Sequence, residues 1–262
     1  MYGPATYKTQ GVVLKQTPIG EADRVLSIFT RDLGKVRVVA RGVRKPRSKL
    51  AGHLEPLSHV AISVSRGRSL DPIREAETVR SFRRVRENLQ LVSEGVYLAE
   101  LVESFSAEDQ PAPAVYLLLL EALAWLDDNG DSPRLMRYFE VRMLAESGFG
   151  PELRACVECR TTLEPGDYLY SSETGGVLCD ECKVTTGAAL MPLSLDANKV
   201  LRFYERSRLD EAVSLNVPAH VADETDRVLR HYVRYVLERE LKSVEFMDLV
   251  RREADRPSTA SG

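Results

Sequence analysis

Gly34-Lys35-Val36-Arg37-Val38-Val39-Ala40-Arg41-Gly42-Val43-Arg44-Lys45-Pro46-Arg47-Ser48-Lys49 decides how the head of this chain folds. In its first half Val36, Val38 and Ala40 point one way while Lys35, Arg37 and Arg41 point the other, the period of a strand with one buried face. In its second half Arg41, Arg44, Lys45, Arg47 and Lys49 place five cations in nine residues. Such a segment cannot bury itself, and its charges repel, so it predicts a mobile arm beside the basic face of the strand. The same two-residue period recurs on either side, around 8–16 (Val12, Leu14), 23–31 (Leu26, Ile28) and 56–66 (Val60, Ile62, Val64), with a fifth strand near 72–80. Gly20, Gly34, Gly42 and Gly67 fall at the breaks, where turns are needed. Five short strands with one apolar face each predict a small closed barrel, for which the OB-fold is the common solution.

Charge separates this segment from the rest. Residues 1–86 hold 18 Lys/Arg against 7 Asp/Glu, and the remainder 18 against 32, an asymmetry hidden by the net charge of −3. A basic segment attracts polyanions, and an acidic remainder discourages adhesion elsewhere. Lys35, Arg37, Arg41, Arg44, Lys45, Arg47 and Lys49 are therefore the expected phosphate contacts, with a merely solvated loop as the plainer alternative. Tyr7 and Phe29 are candidates to stack on bases from the outer barrel surface, or else to pack in the core or rim. Nothing encodes base-edge readout, so little sequence specificity is expected.

Four cysteines lie within 27 residues, as Cys156-x2-Cys159, then 19 residues, then Cys179-x2-Cys182. That spacing fits one tetrahedral four-thiolate zinc site per chain, with a strand at Tyr168–Ser172 and a turn at Gly175-Gly176 before Val177 and Leu178, a zinc ribbon. Disulfides are disfavoured because nothing marks secretion. A thioredoxin-like redox pair is disfavoured because Glu158, Asp180 and Glu181 oppose thiolate formation without a metal. A catalytic zinc would need an open position, which four thiolates fill.

Helical periodicity predicts helices at 87–105, 112–128 (ending at Asn129-Gly130), 133–147 (started by Ser132-Pro133), 194–207 and about 220–241. The fold class is thus α+β and multidomain, with a barrel at 1–82, a helical domain at 83–150 and 187–250 forming one bundle, the ribbon inserted at 151–186, and a polar tail at 251–262. Asp127-Asp128-Asn129-Gly130-Asp131 lacks the ligand spacing and terminal glutamate of a calcium loop and is read as a helix end. No phosphate-binding loop, dinucleotide motif or local nucleophile signature is present, so no enzyme is expected. No apolar run is long enough for a bilayer and Met1–Gln10 has no signal-peptide core, which predicts a cytoplasmic protein.

Several stretches, in order, resemble the bacterial recombination mediator family RecO: Gly11-Val12-Val13-Leu14, then Gly20-Glu21-Ala22-Asp23-Arg24 and Phe29-Thr30, then 40–48 and Gly52-His53-Leu54-Glu55-Pro56-Leu57, Leu144-Ala145-Glu146-Ser147-Gly148, and Arg239-Glu240-Leu241-Lys242-Ser243 with Phe246-Met247. The resemblance covers most of residues 7–247. It implies an OB-fold, a helical domain and an inserted zinc ribbon. It also implies binding of single- and double-stranded DNA, annealing of complementary strands, partnership with RecR, and remodelling of single-strand-binding protein so that RecA loads, on the nucleoid during repair. The family's helical domain accepts the acidic tail of single-strand-binding protein, and Arg134, Arg137 and Arg142, near apolar neighbours, are the candidates to receive it here. The rival reading is an adapter that scaffolds repair proteins with little DNA contact; a zinc nuclease is disfavoured by the closed thiolate shell.

Overall fold

Period-two alternation becomes five paired strands: β1 (Thr6–Ile19), β2 (Asp23–Thr30), β3 (Gly34–Ala40), β4 (His59–Ser65) and β5 (Asp71–Arg80), closed into a barrel in the order β1-β2-β3-β5-β4. The computed structural model describes residues 6–254 apart from 186 and 188. Closure rests on one short parallel contact, Val38 with Asp71 and Val39 with Pro72, all other pairings being antiparallel. Leu26, Ile28, Val36, Val38, Ala40, Val60, Ile62 and Val64 fill the barrel as their alternation requires. On β1 the interior residue is Val13 rather than Val12 or Leu14. The run Gly11–Leu14 is buried throughout and a bulge follows Val13, so no alternation was there to read.

Helices and a second sheet follow: α1 (Arg83–Glu87), α2 (Leu89–Phe105), α3 (Pro113–Asn129), α4 (Pro133–Glu146), β6 (Tyr168–Ser171), β7 (Gly176–Leu178), α5 (Cys182–Thr185), β8 (Leu190–Leu193), α6 (Leu195–Arg206), α7 (Leu209–Ser214), α8 (Ala219–Leu237) and α9 (Lys242–Ala254). Their starts are chemically marked. The side chains of Asn88, Ser132 and Ser194 each accept the amide three residues on, satisfying donors the first turn leaves free. Gly130, at φ 99°, stops α3. The chain runs on as α9 where a tail was expected from 251; residues 255–262 of that tail lie outside the described residues.

The chain divides into two compact units, each with its own helices. The first unit takes residues up to Asp131 and those from Leu241 onward. Here α2 lies on β1 and β2. Ser27 Oγ donates to Glu103 Oε2 at 2.6 Å, and Lys35 Nζ donates to the Glu103 carbonyl at 2.7 Å. Helix α9 packs on α2, and Glu100 accepts the Lys242 and Ser243 amides at 3.1 and 2.7 Å, closing the α9 N-terminus. The acidic cluster at the end of α3 also caps: Asp127 Oδ1 accepts the Arg84 and Val85 amides at 2.9 and 3.2 Å.

The second unit is Ser132–Glu240. Helix α4 packs on α6, α7 and α8, and β6 is the centre of a three-stranded sheet ordered β7-β6-β8. Arg137 is buried in α4 between Glu140 at 2.7 Å and Asp226 at 2.6 Å. Among the described residues no helix is long and apolar enough to cross a membrane.

Gly34 begins β3 at φ 69°, and a Cβ there would lie 1.9 Å from the Gln110 carbonyl oxygen. Gly34→Ala therefore combines a left-handed backbone with a backbone clash, and is expected to cost about 2 kcal/mol or more in denaturant unfolding. A stability loss below about 0.5 kcal/mol, the range of an ordinary surface change, would contradict this packing.

Candidate nucleic-acid interface and metal centre

The connection between β3 and β4, residues 41–58, is a folded plug and not the mobile arm its charge suggests. Val43 and Leu54 are buried in the barrel core, and Leu50 and Ala51 pack against it. Short turns shape the backbone between them: Lys45 N–H donates to the Gly42 carbonyl at 3.1 Å, and Ser48 N–H to the Lys45 carbonyl at 2.9 Å. The ends of the connection are tied to the β1–β2 hairpin. Gly42 N–H donates to Asp23 Oδ1 at 2.7 Å, Arg44 N–H to the Ala22 carbonyl at 3.0 Å, and Gln16 Nε2 to the Leu54 carbonyl. Apolar anchors, backbone bonds, the Asp23 carboxylate and the Gln16 amide thus hold the path. Arg41, Arg44, Lys45, Arg47 and Lys49 are all exposed.

The other expected contacts divide. Arg37 is half exposed on β3, 3.8 Å from Glu108. Lys35, by contrast, is only 9% exposed, and its ammonium is spent on the Glu103 carbonyl of α2. The helix covers the strand face that periodicity alone would leave to solvent, so Lys35 is an internal residue and leaves the phosphate set. Phe29, opposite Lys35 across the β2–β3 pair, is fully buried and cannot stack on a base. Tyr7 is rim packing: its hydroxyl donates to Asp71 at 3.3 Å and Arg66 lies 4.8 Å above its ring. Burial, together with the Asp71 carboxylate, pushes its phenol up to about 12, so it remains a neutral donor.

In the second unit the sulfurs of Cys156, Cys159, Cys179 and Cys182 lie within 4.8 Å of one another. Two C-x2-C turns bring them there. Cys156 N–H donates to the Thr161 carbonyl and Arg160 N–H to the Cys156 carbonyl, both at 2.9 Å, with Arg160 left-handed at φ 64°. In the second turn Cys182 N–H donates to Cys179 Sγ at 3.5 Å. The β6–β7 hairpin returns the chain between the turns, and Val157 N–H donates to the Val177 carbonyl at 2.9 Å, tying the first turn to β7. Cys159 Sγ and Cys179 Sγ are 3.7 Å apart. Four thiolates bound at about 2.3 Å in a tetrahedron stand about 3.8 Å from each other, so the cluster fits a closed metal shell. Hydrogen bonds from Thr161 hold the Cys159 thiol down to about 6, whereas the hydrogen bond with Cys179 pushes Cys182 up to about 12. Without a cation the cluster cannot carry four negative charges, and a divalent ion removes that conflict.

The arginines proposed to receive an acidic peptide are mostly engaged. Arg137 is buried between two carboxylates, so it has no free face for a third. Arg142 lies 3.6 Å from Glu146 and 5.9 Å from the Tyr138 ring centroid, and Arg134 is exposed and donates to the Leu215 carbonyl at 3.0 Å.

Two family models match: Recombination protein O N terminal over residues 4–82 and Recombination protein O C terminal over 86–245. The chain belongs to the RecO family. RecO proteins of this family include one from Dehalococcoides mccartyi strain CBDB1, named DNA repair protein RecO, 39% identical over 252 residues covering 96% of this chain and 98% of that protein. The RecO proteins of Symbiobacterium thermophilum and Syntrophus aciditrophicus bear the same name, at 36% over 250 residues (94% and 98% covered) and 30% over 252 residues (95% and 97% covered). The RecO matches span both the barrel and the cysteine-bearing unit.

Metal content gives a direct check on the cysteine cluster. One equivalent of metal per chain is expected, lost in Cys156→Ser together with Cys179→Ser. Because binding energy on the order of 10 kcal/mol acts as folding energy here, a strong chelator should unfold the second unit and lower its melting temperature. A chain that binds no metal, or whose melting is unmoved by chelation, would contradict the assignment.

Proposed function

We propose that this protein is a DNA repair and recombination mediator. It binds single- and double-stranded DNA through the barrel, anneals complementary strands, and with RecR helps RecA load onto DNA coated by single-strand-binding protein. The observation that carries the reading is the outward projection of Arg41, Arg44, Lys45, Arg47 and Lys49 from a connection whose backbone is pinned by the barrel. A backbone already held in place has little freedom left to lose when its cations meet phosphates, and such cations contact any sequence alike. Arg37 extends the set along β3. Neutralising phosphates lets two complementary strands approach, and base pairing then drives annealing with no protein nucleophile and no nucleotide hydrolysis. The ion held by Cys156, Cys159, Cys179 and Cys182 is zinc in a structural role, since thiolates select it and the shell leaves no open position. Acting on chromosomal DNA places the protein in the cytoplasm. The exposed Arg134 is the remaining cationic candidate for the acidic tail of single-strand-binding protein, joined by the outer edge of Arg142.

Charge reversal tests the DNA surface. Arg44→Glu with Lys45→Glu and Arg47→Glu removes three phosphate contacts, which should reduce the slope of log affinity against log salt by about 2 on single strands and weaken binding to all sequences alike. Unchanged affinity and slope would move the DNA site elsewhere. In a companion assay, annealing of strands coated by single-strand-binding protein, without ATP, should accelerate with the native protein and not with the triple variant. No acceleration by a native protein that binds DNA would favour an adapter.

A further inference from the structure

We propose that the tip of the β1–β2 hairpin is an apolar wedge: Ile19 packs against the exposed face of a DNA base whose neighbouring phosphates lie on the 41–49 connection. The inference rests on the DNA-binding reading and adds a contact of a different chemical kind to it. Every residue from Thr17 to Glu21 is exposed, and Ile19 presents 49% of its surface to solvent at the end of a paired ribbon. The ribbon projects because β1 pairs with β4 only as far as Val12, while its pairing with β2 continues to Ile19 opposite Asp23.

A lone exposed isoleucine is ordinary on a protein surface. This one differs in where it is held. The tie between Arg44 N–H and the Ala22 carbonyl, with that between Gly42 N–H and Asp23, fastens the residues just after the tip to the first turn of the basic connection. Behind the tip, Arg24 donates to Gln16, which itself donates to the Leu54 carbonyl at the far end of the connection. The apolar tip therefore sits at a fixed offset from the cations Arg41 and Arg44. A strand held there by its phosphates brings its bases to the tip. Short aliphatic side chains carried on ribbons use such positions to pack on unstacked bases, and contact with a base face does not depend on sequence. Pro18, beside Ile19, removes an N–H from the ribbon's edge, which disfavours the alternative of a partner strand adding there.

The two kinds of contact separate by salt. Ile19→Ala should weaken single-strand binding about fivefold, the scale of one lost base contact, while leaving the salt slope unchanged because no phosphate contact is lost. With 2-aminopurine in the oligonucleotide, the fluorescence change produced by saturating native protein should be lost in Ile19→Ala and Ile19→Asp. Ile19 is solvent-exposed, so both variants should melt with the native protein. If the native protein binds DNA and both variants match it in affinity and in 2-aminopurine signal, the wedge is wrong and the phosphate reading stands. If the native protein binds no DNA in low salt, the DNA-binding reading falls and the wedge with it.

Discussion

Five positive charges in nine residues repel one another, and the head of this chain is organised around that repulsion. The side chains cannot be gathered, so the backbone is held by other groups: Val43 and Leu54 in the barrel core, amide–carbonyl turns between them, the Ala22 carbonyl and the Asp23 carboxylate of the hairpin. Holding the connection this way leaves its cations outward. It also makes the β1–β2 hairpin, the barrel core and the basic surface one mechanical object. Barrel closure matters for the same reason, since the plug has a core to enter only while β3 stays joined to β5 across two residue pairs.

The second unit meets a similar problem with opposite sign. Four sulfurs at close quarters, flanked by carboxylates, are an electrostatic load that a divalent ion relieves. With only three short strands to hold it, the ribbon would gain much of its stability from such an ion. Arg137 is handled differently, its charge balanced on both sides by Glu140 and Asp226 within the helices. Buried charge is tolerable only with such partners, and removing one partner costs more than the pair contributes.

How much of this was legible beforehand follows from which interactions are local. Strand alternation at Val36–Ala40 and Val60–Val64, the Ser132-Pro133 and Ser194 caps and the C-x2-C spacings are local, and each landed where the residues pointed. Lys35 is internal, and Phe29 takes the core alternative rather than the stacking one, because α2, some seventy residues later, covers the face that Lys35 occupies. Charge dominates the composition of the connection and points to a mobile arm, whereas one valine and one leucine set its shape. The β1 face was misassigned because Gly11–Leu14 is apolar on both sides. Helix α9 buries only Met247 and Val250 among its described apolar residues, with Val244 half-buried, too sparse a stripe to mark a helix beforehand.

Helix α9 lies at the end of the sequence yet belongs with the barrel and α2, its first amides held by Glu100. In sequence, the two segments of the first unit therefore flank the whole of the second. Until the final turns emerge, α2 offers an uncovered face, and Glu100 holds its charge without the amides it will later cap. The chain must carry a half-built first unit through the synthesis of all of the second, and a premature stop near residue 240 would wound the barrel-bearing unit rather than the unit in which the stop occurs.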